Sequence, residues 1–349
     1  MMLVAKTQAL KTPYLTYGKL GVRENAGALC LGAGAALAGP RRLRLCLGAS
    51  TAIVVREALR EMFHAPAWTA TMPAVGEYVG PVHTVSWGSE GVLLHASHGF
   101  GSNALSFDAL MRLLPVRGVA HDQPGFGLTR RPEGLRGYFL DGDLAAATGA
   151  TVFLGHSMGA IAALDAGIRK NVTAVVLVAP ALTPRGVRLP RWLRVPLARL
   201  GAAWPFALPT RFILRRVVHS SERFWPTSLG LCWSATSRRQ NQAALNKTAQ
   251  AYALPSRLKG WDKGLVNFAA ARILAPDDDK RLIRRATELP RILIIHGDQD
   301  PVIPLANSNR LHALLPNSKI ITLRDVGHCP HEEAPEATAA AIRDFLDLP

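Results

Sequence analysis

The chain has 349 residues, of which 48% are hydrophobic and 19% charged, the balance of a globular protein large enough for one α/β domain with an insertion. Its four cysteines (Cys30, Cys46, Cys232 and Cys329) are scattered without metal-ligand spacing, which argues against a disulfide framework and for a reducing, intracellular compartment. The formal net charge of +16 is uneven: residues 184–275 hold 16 Lys and Arg against Glu222 and Asp262 (+14), residues 1–64 hold nine against three (+6), and the remainder sums to −4.

Between Glu24 and Glu57 the head of the chain has no acidic residue, and it holds the apolar runs "AGALCLGAGAALAG" (26–39) and "LCLGASTAIVV" (45–55) around "PRRLR". Each run is shorter than the roughly 20 residues a spanning helix needs. The head is basic and acid-poor, as an organelle transit segment is, but its first serine is Ser50. Residues 1–65 therefore read as a targeting or membrane-surface segment, with a transmembrane helix or an ordinary extension as the alternatives.

From about residue 75 short apolar strands alternate with helical stretches. "GEYVGPVHTVSWG" opens with one or two strands, and "GVLLHASHGF" is a buried strand running into a glycine-rich loop. "SNALSFDALMRLLP" has the apolar spacing of an amphipathic helix. "VRGVAHDQPG" reads as strand and turn, "ATVFLGHSMGAIAALDAGI" as strand, turn and helix, and "VTAVVLVAP" as a fully buried strand. The rhythm resumes with "RILIIHGDQDP", the helix "LANSNRLHALLP", the strand "SKIITLRDVGH" and a closing helix "PEATAAAIRDFLDL". Such alternation implies a mostly parallel sheet with helices on both faces.

Residues 183–285 interrupt this rhythm with a basic helical segment containing five tryptophans, among them Trp225, Trp233 and Trp261. Within it Arg211 and Arg215 share one helical face, while Ile213, Leu214, Val217 and Val218 lie on another. An inserted segment after the sixth strand has the place of a cap over an active site. The domains expected are thus 1–65, a core in two parts (66–182 and 286–349), and a cap over 183–285.

The chemistry is concentrated at strand ends. Ser157, in "GHSMG", sits where a strand turns into a helix, with glycines two residues away on each side, as in a nucleophile elbow. A serine hydroxyl needs a base, and the base needs an orienting acid. His328 follows the strand "SKIITL", and Asp300 follows "RILII" in the proline-bounded "DPVIP". Asp298 and His331 compete for the same roles from nearby positions. His95, His121 and His156 read as core or loop histidines, His98 as a brace, and Cys329 as a packing residue. The backbone N–H groups of Phe100, in "HGFG", and Met158 are placed to form an oxyanion hole.

Together "HGFG", "DQPGFGLT", "GHSMG", "GDQDPVIP" and "GHCPHEEAP", in order from about residue 75 to the end, resemble the α/β-hydrolase fold superfamily. The ending "GHCPHEEAP" is also similar to plastid and cyanobacterial hydrolases of the kind that includes pheophytinase and chlorophyll dephytylase. The resemblance implies the fold and the order Ser157, Asp300, His328 for nucleophile, acid and base. It makes a plastid the organelle that a targeting head would address. A serine at 157 distinguishes the chain from branches whose nucleophile is an aspartate.

The function expected is that of a serine hydrolase cleaving a carboxylic ester of a lipophilic substrate through an acyl-enzyme, without cofactor or metal. The basic cap implies an anionic membrane surface as partner. An acyltransferase or carbon–carbon bond hydrolase would use the same triad, and a ligand receptor with little turnover could keep the fold. Nucleic acid is not expected, because the cap's arginines lie among tryptophans and leucines without a recognition motif.

Overall fold

The structure, a computed structural model, describes residues 76–349 apart from 141, 171, 183–194, 197, 200–201, 203–206, 219–222, 259 and 275–278. The head segment read over residues 1–65 lies outside the described residues. One sheet contains β1 (Glu77–Val79), β2 (Val82–Trp87), β3 (Leu93–Ser97), β4 (Arg117–His121), β5 (Val152–His156), β6 (Ala174–Val178), β7 (Ile292–Gly297) and β8 (Ser318–Leu323). The strand order is β1-β2-β4-β3-β5-β6-β7-β8. β2 pairs antiparallel with β1 and β4, and every later pairing is parallel, as the strand–helix alternation leads one to expect.

In chain order the helices begin with α1 (Asp108–Met111), α2 (Asp143–Ala147), α3 (Gly159–Arg169), α4 (Ala207–Val218), α5 (Phe224–Gly230) and α6 (Ala235–Gln240). They are followed by α7 (Gln242–Ala253), α8 (Trp261–Leu274), α9 (Asp279–Ala286), α10 (Leu305–Leu314), α11 (Pro330–Glu333) and α12 (Pro335–Leu346). β5, β6 and β7 are buried along their whole length, because helices cover both faces and no polar alternation is needed. Successive residues still point to opposite sides. Phe153, Val175, Leu177 and Ile294 pack with Leu164 of α3 and Ile283 of α9. Leu154, Val176, Val178 and Leu293 pack with Leu110 of α1 and Ile342 of α12. Each such buried side chain contributes about 1.5–3 kcal/mol relative to exposure.

The helix expected over "SNALSFDALMRLLP" is shorter than its apolar spacing suggests. Asn103 caps a 3₁₀ turn, Ala104–Phe107, by accepting the Leu105 N–H, and only one α-helical turn follows. Pro115 ends the segment: it lacks an N–H and disfavours a helical Leu114.

Between β6 and β7 the described chain is helical. Leu208–Phe224, most of α4, falls in a compact unit separate from the one that carries the sheet (Ala70–Ala207 and Trp225–Pro349). In the latter, α5 to α7 enclose a small core of Leu229, Trp233, Leu245, Ala249 and Tyr252, which Cys329 joins from the far end of the chain. Trp233 and Trp261 are buried and Trp225 is half-buried. The tryptophans among the basic residues are therefore not an exposed belt at positions 233 and 261. These two indoles fill the interior, while Arg239, Lys247, Lys263 and Arg272 are exposed.

A buried carboxylate fixes the loops that lead to the strand ends. Asp122, directly after β4, accepts hydrogen bonds from the N–H of Ala104 (2.6 Å) and Leu128 (2.6 Å) and from His83 Nδ1 (2.8 Å). Burial alone would raise its pKa, but the His83 hydrogen bond, the neighbouring His98 and His83 rings and the Ala104 N–H hold it below the usual value. Replacing Asp122 by Ala leaves three buried donors without a partner, at about 1–3 kcal/mol each. Chemical denaturation should show a loss of about 3 kcal/mol or more near neutral pH. Because the folded pKa is depressed, the difference between the two proteins should shrink as pH falls through the carboxylate range.

Candidate active site

β5 ends at His156 and α3 begins at Gly159, so Ser157 and Met158 make the whole turn. Glycine is required here by close approach: a Cβ on Gly159 would stand 2.1 Å from the Ser97 carbonyl oxygen. One on Gly155 would stand 2.5 Å from the Gly159 carbonyl oxygen. Ser157 takes φ +52°, a left-handed conformation that costs a non-glycine residue of order 1–3 kcal/mol. The strain is held by backbone bonds: the Ser157 N–H donates to Val178 (2.9 Å), and its carbonyl accepts from Ala160 (3.2 Å) and Ala181 (3.0 Å).

His328 spans the two other residues read from the sequence. Its Nε2 lies 3.0 Å from Ser157 Oγ, and its Nδ1 lies 2.8 Å from Asp300 Oδ2. The second oxygen of Asp300 accepts the N–H groups of Val302 (2.7 Å) and Ile303 (2.8 Å), which is how the proline-bounded loop fixes the carboxylate. Burial opposes ionisation of Asp300, yet hydrogen bonds from His296 and His328, the His328 charge and the Ile303 N–H hold its pKa far below the usual range. It therefore remains an anion wherever the histidine can act as a base.

The competing residues have other occupations. Asp298 accepts the Asp325 N–H at 2.8 Å on the exposed side of its loop. His331 is fully buried against Phe107 and His156, and burial lowers its pKa to about 3, so it stays neutral. Burial also raises the Cys329 thiol well above its ordinary pKa, which disfavours the thiolate. The buried pair His95 and His121 joins β3 to β4 through a 2.7 Å contact between ring nitrogens.

The loop after β3 passes tightly over the nucleophile. A Cβ on Gly99 would lie 3.0 Å from Ser157 Cβ and 2.9 Å from His156 Nδ1, so the Gly99–Phe100 peptide needs glycine there. His98 braces this loop as expected, donating from Nδ1 to the Gly99 carbonyl (2.8 Å) and accepting the Gln123 N–H at Nε2 (2.9 Å). The second nominated donor, the Met158 N–H, stands at the start of α3. Phe100 is 62% exposed and makes an aromatic edge with Phe126 and Phe268.

Three supporting residues escape a reading of motifs. His156, taken as a core or loop histidine, donates from Nε2 to the His328 carbonyl at 2.9 Å. His296 lies 3.1 Å from Asp300 Oδ2 and is oriented by the Ile303 carbonyl (2.9 Å) and Ser308 (2.7 Å). Glu333 accepts the N–H groups of Ser234 (2.9 Å), Gly327 (2.8 Å) and Cys329 (2.9 Å), tying the histidine loop to the inserted helices. Their positions beside "S157", before "GDQDP" and within "HEEAP" were the only signal available. Among the described residues no three His, Cys, Asp or Glu side chains group as a metal site.

The alpha/beta hydrolase family matches residues 92–341. An uncharacterised hydrolase of Bacillus subtilis is 25% identical over 265 residues, covering 71% of this chain and 88% of that protein. A pimeloyl-[acyl-carrier protein] methyl ester esterase of Xanthomonas axonopodis pv. citri is 26% identical over 260 residues, covering 71% and 92%. Among solved structures, a thermophilic esterase from Thermogutta terrifontis superposes with a TM-score of 0.58 at 20% identity, covering 76% of this chain and 93% of that one.

The geometry ranks two neighbouring aspartates. Asp300→Asn should slow fluorophosphonate labelling of the chain by roughly three to four decades, because the amide favours the wrong tautomer of His328. Asp298→Asn should slow it far less. The reverse ranking would reassign the acid.

Proposed function

The chain belongs to the alpha/beta hydrolase family, and on that premise we propose that it is a serine hydrolase cleaving a carboxylic ester of a lipophilic substrate. One observation carries the reading: a single imidazole contacts Ser157 Oγ at 3.0 Å and a buried carboxylate at 2.8 Å. In the proposed reaction Ser157 Oγ attacks the ester carbonyl while His328 Nε2 takes its proton. The N–H groups of Phe100 and Met158 receive the oxyanion. Collapse expels the alcohol, which leaves with the proton from His328, and an acyl group remains on Ser157. Water then attacks under the same base, and the acid departs. Asp300 stabilises the imidazolium throughout and keeps its own charge.

The lipophilic preference is supported by the exposed Phe100 ring and its partners Phe126 and Phe268. Phe268 belongs to α8, so the inserted helices contribute to this apolar edge. The relatives include esterases named for a methyl ester of a carrier-bound acyl group, which makes a long acid joined to a short alcohol a fitting test substrate. Acyl transfer and carbon–carbon bond hydrolysis would use the same three side chains, and identification of the products separates them from ester hydrolysis.

The proposal extends to an anionic membrane surface, from which such a substrate would be drawn. Arg239, Lys247, Lys263 and Arg272 are exposed on α6, α7 and α8, where the acidic partner on these helices, Asp262, is buried. Each cation near an anionic bilayer contributes about 1 kcal/mol, so four give nearly three decades in partitioning, fading with salt. Among the described residues no helix is long and apolar enough to cross a membrane.

Ser157→Ala should abolish labelling by a fluorophosphonate and lower kcat by several orders of magnitude on an ester panel graded by acyl length. Undiminished labelling of the variant would remove Ser157 from the mechanism. In co-sedimentation, the protein should bind anionic vesicles, release them as salt rises, and bind less when Arg239, Lys263 and Arg272 are all changed to Gln. Equal binding to neutral and anionic vesicles, or to neither, contradicts the membrane reading.

A further inference from the structure

Behind the triad, a second polar cluster is left unused by the proposed mechanism. Glu332, on the turn after His328, is 5% exposed, and its Oε1 accepts the phenol of Tyr252 at 2.8 Å. Tyr252 is 8% exposed and lies near the end of α7, within the inserted helices. Ser102 hydrogen-bonds the same phenol, and the preceding residue on α7, Ala251, accepts the Asn103 side-chain amide at 3.0 Å. Ser102 and Asn103 directly follow "HGFG". One helical turn of the insertion therefore touches both loops that complete the candidate active site, the one carrying Phe100 and the one carrying His328.

We propose that Tyr252 and Glu332 are positioning residues, a latch through which the inserted helices hold the Phe100 loop and the His328 loop in register with Ser157. The alternative is that the pair only fills space in a small core. Two features favour the latch. A buried phenol bonded to a buried carboxyl is a costly addition to a small core that holds Leu229, Trp233, Leu245 and Ala249 beside Tyr252, unless their bond has a use. The pair also adds a side-chain link to the backbone bonds that already join this loop to the insertion, such as that from the His328 N–H to the Cys232 carbonyl at 2.8 Å.

The latch carries its own pH dependence. Glu332 is faced by Tyr252 from α7, by Trp233 and Cys232 from the stretch between α5 and α6, and by His331, Cys329 and Glu333 on its own turn. None of these supplies a cation at neutral pH, since burial keeps His331 neutral. Among the described residues its Oε2 has no hydrogen-bond partner, which makes an ionised carboxylate expensive there. Burial first, with Glu333 adding to it, pushes the Glu332 pKa up to about 8 against the hydrogen bonds that lower it. The neutral acid is thus the form that fits. A group whose folded pKa is raised contributes stability that is full below its unfolded value, near 4.5, and is lost as pH rises through about 8.

The kinetic arm of the test rests on the esterase reading; hydrogen exchange and melting read the contact without any substrate. Tyr252→Phe keeps the ring and removes the bond, and it should lower kcat about tenfold while KM changes less than about twofold. Amides of residues 98–104 and 326–333 should exchange faster in this variant than in the parent at equal pH. Glu332→Leu should share both effects. Glu332→Gln, which keeps a neutral partner for the phenol, should restore them and retain kcat above pH 8, where the parent declines. The melting temperature of Glu332→Gln relative to the parent should rise between pH 4.5 and about 8 and then level off. Parent-like exchange and kcat in Tyr252→Phe would overturn the latch, as would a Glu332→Gln protein whose alkaline decline and melting curve run parallel to the parent's. If the parent showed no fluorophosphonate labelling, the esterase reading would fall alone, and the exchange and melting results would still decide the latch.

Discussion

The rest of the site depends on how closely β3, the β5–α3 turn and the loop over it approach one another. Gly159 stands so near the Ser97 carbonyl that no side chain fits between them, and Gly99 packs closely, though less tightly, against Ser157 and His156. That contact forces the turn into two residues and holds Ser157 at φ +52°. It also brings the loop after β3, at Gly99, against Ser157 itself. Without that closeness a serine on a helix start would be an ordinary surface hydroxyl.

Around this contact the interior is polar to an unusual degree, and environment divides its ionisable groups. His95, His98, His121, His156 and His331 are buried, and desolvation lowers the pKa of each, so they serve as neutral donors and acceptors. The acids separate in opposite directions. Asp122 and Asp300 each collect several donors and stay ionised despite burial. Glu332 collects fewer, keeps one oxygen unpartnered, and holds its proton. Burial is common to all three, and the surrounding hydrogen bonds and charges outweigh it at Asp122 and Asp300 but not at Glu332.

How much of this was legible in the sequence follows from what each signal physically requires. The buried strands were readable because continuous apolar runs bounded by turns have few alternatives in an alternating chain. Ser157, Asp300 and His328 were readable as positions because each sits in a turn with its own glycine or proline requirement, and the structure brings these three together. Asp300 could be preferred over Asp298 from Pro301 and Pro304, which shape the loop whose N–H groups bind its carboxylate. The helix over residues 102–115 was overestimated because apolar spacing says nothing about where Pro115 stops a helix. That Trp233 and Trp261 are buried could not be read from their basic neighbourhood, because charge along a sequence does not say which way a ring turns. The pairing of Glu332 with Tyr252 left no trace at all. Its meaning comes from a contact between residues 80 positions apart that only folding creates.

The account stands or falls on a covalent acyl group at Ser157. The most direct measurement is acid quenching during turnover of a long-chain p-nitrophenyl ester, followed by mass spectrometry of the intact chain and of its peptides. The account predicts one acyl adduct per chain, located on the peptide that contains Ser157 and lost on dilution into water at neutral pH. An adduct on another residue such as Cys232, or equal turnover and equal adduct in Ser157→Ala, would contradict it.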